Sequence, residues 1–169
     1  KPDQVTIAIN STQMNITELL GADDIQGTHM QDPAARTAWQ DMVVDATPSF
    51  FVEHLKRLRA NGIQPYFMLG HIAQLETVER LIRRGQYMGP LNHCYVAIGG
   101  GAAGPDPFQM MDYVRRSPQG GILQIEGIMR NVPPMMATSI AMGLPVRVGI
   151  EDNPWRRKGE KCTPVQQVE

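Results

Sequence analysis

Short apolar runs recur along this chain at nearly fixed spacing, and each is followed by a segment with helical periodicity. The runs QPYFMLG, NHCYVAIG, GILQIEG and VRVGIE begin near Gln64, Asn92, Gly121 and Val146, roughly every 25 to 30 residues, which is the repeat of a βα unit. They are close to continuously apolar, the pattern of strands buried on both faces of a parallel sheet.

The intervening segments carry helix punctuation. Thr47-Pro48 offers an N-cap and a proline at the first helical position, with Phe51, Leu55 and Leu58 at helical spacing and Gly62 as the stop. Gln74 to Arg84 places Leu75, Val78 and Leu81 on one face before Gly85. Asp106-Pro107 opens PFQMMDYVRR, and PPMMATSIAMG begins on proline and closes on Gly143. The polar stretch from Gln13 to Asp41 is harder to read, with a short strand expected within Ile25 to Met30. Counting Val5 to Ile9, about six strands are expected. They suit either an open doubly wound sheet or part of a (β/α)8 barrel, since a complete barrel needs eight strands and roughly 250 residues.

Composition narrows the function class. With 169 residues and a net charge of -1, the chain supports one domain with a real core and has no extended basic block to hold a nucleic acid or an anionic membrane surface. No apolar run approaches the ~20 residues of a membrane span, and no leader-like segment opens the chain. Cys94 and Cys162 follow no metal or redox spacing, so free thiols in a reducing compartment, the cytoplasm, are expected. The chain enters a strand at VTIAI almost at once and stops as VQQVE turns helical, so both ends read as cut.

Several groups of residues compete as a site. GGGAAG, Gly99 to Gly104, has the glycine spacing of a dinucleotide fingerprint, and Glu126 lies about the right distance on. Pro105-Asp106-Pro107 delays the helix, however, and Asp106 would repel a pyrophosphate; a βα loop bordering a site is the better reading. His29, His54, His71 and His93 form no ligand spacing, and His93, at a strand start, falls on the stability face of a barrel. The methionines, eleven in all, read as core filling.

VRVGIEDN is richer. Alternation puts Arg147, Gly149 and Glu151 on one face and Val146, Val148 and Ile150 on the other. In a barrel the β-branched set suits the helix side, so Arg147 and Glu151 are expected to face inward. Glu151 and Asp152 then fall at the C-terminal rim, where barrel enzymes assemble their sites. A structural ion pair followed by an Asp-Asn turn fits the same residues. Asn10-Ser11-Thr12 is a second strand end with hydroxyls, which gains weight only if its strand shares a barrel with VRVGIE.

Three stretches carry a resemblance. MMATSIAMGLPVRVGIEDN, HCYVAIGGGAAGPDPFQMMDYVRR and KGEKCTPVQQVE are similar to segments of the β-keto acid cleavage enzyme family, and the likeness runs from about Thr47 to the end. The family fold is a (β/α)8 TIM barrel. The resemblance makes VTIAI the third strand and VRVGIE the eighth, so residues 1–169 would form a single partial barrel lacking roughly the first two βα units. It implies a retro-Claisen exchange in which a β-keto acid and acetyl-CoA give acetoacetate and a new acyl-CoA. It also implies one zinc ion, with Glu151 as a ligand and two histidines from an HxH motif on the second strand; this chain contains no HxH. Asp152 takes the place of the family base, Arg147 orients it, and Ser11 with Thr12 stands in the substrate-binding loop. In that loop Gln13-Met14 replaces two glycines, and Leu144-Pro145 stands where a glycine is usual.

The expected function is therefore acyltransferase-type β-keto acid cleavage by the full-length parent, a cytoplasmic homo-oligomer with small-molecule partners and neither nucleic acid nor membrane. Residues 1–169 alone are expected to be inactive. The rivals are a non-catalytic barrel scaffold and a nucleotide-dependent α/β enzyme using GGGAAG.

Overall fold

A computed structural model describes residues 1–9, 12–15, 17–18, 20–98, 103–129, 133–157 and 160–168. Its centre is a five-stranded parallel sheet of β1 (Gln4–Ala8), β4 (Gln64–Leu69), β5 (His93–Ile98), β6 (Leu123–Ile128) and β7 (Val146–Arg147), side by side in that order. The order never doubles back, unlike a doubly wound sheet, which reverses at a switch point. This is mixed α/β architecture consistent with part of a TIM-like barrel.

The helices that follow the strands all pack on one face. Helices α2 (Pro48–Ala60), α3 (Ile72–Arg83), α4 (Pro107–Arg116) and α5 (Pro133–Ala141) lay Phe51, Leu55, Leu75, Val78, Met110, Tyr113 and Met135 against Ile7, Phe67, Leu69, Tyr95 and Ile125 of the sheet. Each such large apolar side chain taken fully out of water contributes roughly 1.5–3 kcal/mol. The opposite face holds a smaller cluster of Cys94, Val96 and Ile98 with Tyr66, Met68 and Ile128. Strand β5 is buried along its whole length because it lies mid-sheet.

The expected caps form as read. Thr47 Oγ1 accepts from the amide of Phe50 at 3.2 Å, and Asp106 Oδ1 accepts from that of Phe108 at 3.0 Å. Gly62 takes φ +57°, and the amide of Ile63 reaches back to the carbonyl of Leu58, a glycine-ended helix stop. His93 is a core histidine: its Nδ1 lies 3.0 Å from the carbonyl of Leu91 and its Nε2 3.2 Å from Ser117 Oγ. No disulfide joins Cys94 to Cys162.

Two readings are corrected. The segment Ile25 to Met30 forms no strand; a 3-10 turn spans His29–Gln31, and α1 (Pro33–Gln40) follows, capped by Asp32. The expected six-stranded run is a five-stranded sheet with two small antiparallel ribbons beside it. One ribbon pairs β2 (Thr12–Met14) with β3 (Met42–Val44), and the other pairs β8 (Trp155–Arg157) with β9 (Glu160–Lys161). A terminal helix, α6 (Pro164–Val168), closes the described chain. Among the described residues no helix is long and apolar enough to cross a membrane.

Candidate active site

Arg147 and Glu126 are register partners on adjacent parallel strands, so their side chains leave the same face of the sheet. That face is the one opposite the helices, shared with Cys94 and Tyr66. Arg147 Nη1 lies 3.2 Å from Glu126 Oε1, while Nη2 lies 3.0 Å from Asp152 Oδ1 and 3.5 Å from Glu151 Oε2. One guanidinium thus faces three carboxylates. The Cys94 thiol donates to Glu126 Oε2 at 3.3 Å, and the Tyr66 hydroxyl donates to Gln124 Oε1 at 2.5 Å.

The way Asp152 reaches Arg147 differs from expectation. The strand VRVGIE was expected to run on to Glu151, but β7 ends at Arg147. The amides of Asp152 and Asn153 then fold back onto the carbonyl of Gly149 at 3.1 and 3.0 Å. Alternation fails in that turn: Val148 and Ile150 are exposed rather than packed against helices. The turn also exchanges the two carboxylates. Asp152 is 4% exposed, whereas the Glu151 side chain is 88% exposed and does not point inward. The backbone locks the turn to the next strand end, where the Met129 amide donates to the Asp152 carbonyl at 2.8 Å. Met129 holds φ +51°, a left-handed conformation that costs a non-glycine residue about 1–3 kcal/mol.

Burial and the neighbouring charges set the protonation of the pair. Burial raises the pKa of Asp152, opposed by the Arg147 cation and reinforced by the Glu151 charge. Burial also raises that of Glu126, opposed by Arg147 and by the Cys94 thiol. Where the two carboxyls interact, Glu126 is favoured as the protonated partner and Asp152 as the charged one. Burial and the neighbouring Glu126 carboxyl push the Cys94 thiol well above its ordinary range, so it is no nucleophile near neutral pH. The cluster can therefore keep a buried carboxylate ionised beside a fixed cation, the arrangement of a general base.

The expected residues are brought together in part. Arg147, Glu151 and Asp152 form one ion-pair group. Ser11 lies outside the described residues, as do residues 99–102 of GGGAAG. Thr12 pairs with Val44 in the separate β2–β3 ribbon, and its side chain lies outside the described set. Among the described residues no group of three His, Cys, Asp or Glu side chains could hold a metal ion. The described residues by themselves do not assemble a zinc site.

The nucleotide reading loses one of its two supports, Glu126, while residues 99–102 of its glycine run lie outside the described residues. Glu126, expected at a ribose, is wholly buried against Arg147, and Asp106 spends its carboxylate on the N-terminus of α4, where a pyrophosphate would sit. Glu126 is also the residue the sequence reading undervalued. Its signal was present: period two along GILQIEG aligns Gln124 and Glu126, two polar groups on one face of an otherwise apolar strand.

A family model described as beta-keto acid cleavage enzyme matches residues 1–169. The chain belongs to the beta-keto acid cleavage enzyme family. Among curated relatives of this family member is a 3-keto-5-aminohexanoate cleavage enzyme of Acetoanaerobium sticklandii, 25% identical over 119 residues, or 70% of this chain and 44% of that protein. Another is a 3-dehydrocarnitine:acetyl-CoA trimethylamine transferase of Rhizobium meliloti, 30% identical over 131 residues, or 76% of this chain and 43% of that protein. The chain thus aligns with less than half the length of either relative.

Proposed function

We propose that this chain supplies the proton-transfer half of a β-keto acid cleavage site, with Asp152 as base and Arg147 holding it. The observation that carries the reading is the 3.0 Å contact between Arg147 Nη2 and a carboxylate buried at a strand's C-terminal rim. Family membership supplies the reaction class, and the name of one relative includes acetyl-CoA.

The chemistry balances as an exchange. Asp152 removes a proton from the carbon between the keto and carboxylate groups, either directly or through one water. The resulting enolate carbon bonds to the carbonyl carbon of acetyl-CoA, and the thioester C–S bond breaks. The released thiolate attacks the original keto carbon, and the C–C bond between that carbon and the central one breaks. Acyl-CoA and the enolate of acetoacetate leave that step, and Asp152 returns its proton to the enolate. Arg147 keeps Asp152 ionised against its burial, which otherwise favours the neutral acid.

Zinc enters this proposal through one residue, Glu151, whose exposed carboxylate would join ligands from outside the described residues. Ser11 and Thr12 are proposed to hold the substrate carboxylate. Cytoplasmic location and homo-oligomeric assembly belong to the same reading; cysteines without a disulfide are in keeping with a reducing compartment. The test is to incubate the full-length protein with acetyl-CoA and a panel of β-keto acids and measure acetoacetate. Formation that requires both substrates supports the reading, and a panel without turnover contradicts it.

A further inference from the structure

We propose that Glu126 is a positioning residue for this reaction: it pins the Arg147 guanidinium so that the second nitrogen stays on Asp152. The inference rests on the proposed role of Asp152 as base.

Glu126 places a carboxyl where no water reaches it. Its neighbours on the same face include Val96 of β5 and Ile128 of β6 as well as the polar Gln124 two residues before it. A carboxyl there is expensive unless something specific needs it, and an apolar residue would cost less. Neutralising Arg147 does not require it, because Glu151 and Asp152 already face that guanidinium. What Glu126 adds is direction.

Arg147 Nη2 lies between two acceptors, buried Asp152 at 3.0 Å and exposed Glu151 at 3.5 Å. The Arg147 side chain is itself 35% exposed, so the guanidinium has room to swing outward with Glu151. Glu126 opposes that swing from below, holding Nη1 at 3.2 Å. Among the described residues no aligned N–H or hydroxyl donor satisfies Glu126 Oε1, so Arg147 is its main compensation and the two are held mutually. The Cys94 thiol, 3.3 Å from Oε2, fixes the other end of the carboxyl and sets its plane. Strand register places Glu126 opposite Arg147, so the clamp is built into rigid sheet rather than a loop.

The test uses three variants of the full-length protein, each read by steady-state kinetics and by NMR of the Arg147 guanidinium protons. Glu126→Leu removes the oxygen at similar volume, Glu126→Asp retracts it by one methylene, and Glu126→Gln restores an oxygen at the original reach. Leu and Asp are expected to lower kcat on the order of a hundredfold with KM changed by less than about threefold, whereas Gln stays within about tenfold of the parent. The Arg147 Nη protons, separate in the parent and in Gln, are expected to average in Leu and Asp as the group rotates freely. The Asp variant keeps the test decisive if Leu does not fold. Parent-like kcat with unchanged Arg147 signals in Leu or Asp overturns the proposal, as does a loss that Gln shares without any change at Arg147. Turnover surviving Asp152→Asn would instead overturn the base assignment, so the two failures are told apart.

Discussion

Arg147 and Glu126 face each other across β6 and β7 with 3.2 Å between Nη1 and Oε1, and Glu126 has no contact with solvent. The pair therefore has a structural role beside the one proposed for it. Arg147→Leu leaves two buried carboxyls without their cation and is expected to destabilise the fold by on the order of 3 kcal/mol, the low end for breaking a buried pair because Arg147 is partly exposed. Urea denaturation measures it. Arg147→Leu combined with Glu126→Leu is expected to be less destabilised than Arg147→Leu, since the stranded carboxyl is gone. Additive losses would show that the two residues are not coupled.

A close approach at the N-terminal end of the sheet yields the second prediction. A Cβ on Gly121 would lie 1.8 Å from the carbonyl oxygen of Leu91, which is backbone and cannot rotate away. Gly121→Ala must therefore push the β5 and β6 entries apart, at roughly 3 kcal/mol or more. Thermal melting followed by circular dichroism tests it, and a parent-like midpoint would mean the entries are not packed this closely.

His93 gives an acid-side prediction. Burial lowers its pKa from 6.5, so below that value the unfolded chain binds a proton that the folded chain does not. Stability is expected to fall as pH drops through 6.5 toward the folded pKa. Glu126 and Asp152, with raised folded values, act with the opposite sign and gain stability on acidification. Comparing urea midpoints of the parent and His93→Asn at about pH 7 and about pH 5 separates the two effects, with the acid-side loss expected to shrink in the variant.

The repeating βα spacing, the Thr47 and Asp106 caps and the stop at Gly62 were legible because each follows from local chain chemistry. The site was legible only in part. Arg147, Glu151 and Asp152 could be singled out by their density, but period two says nothing of where a strand ends. The turn onto Gly149 therefore reversed which carboxylate is buried. Glu126 was hidden for a different reason. Its partner lies 21 positions on (147 minus 126), and only strand pairing brings the two together. The stretch 13–41 escaped because its order comes from a 3-10 turn, the Asp32 cap and a small ribbon, none with a long periodic signature.

The most direct measurement is the rate of acetoacetate formation by full-length Asp152→Asn. Asparagine keeps the size and a hydrogen-bonding oxygen for Arg147 but cannot take the substrate proton. Turnover is expected to fall by about a thousandfold, in the range lost with a general base, while the melting temperature stays near that of the parent. Turnover within about tenfold of the parent, in a folded variant, would contradict Asp152 as the base.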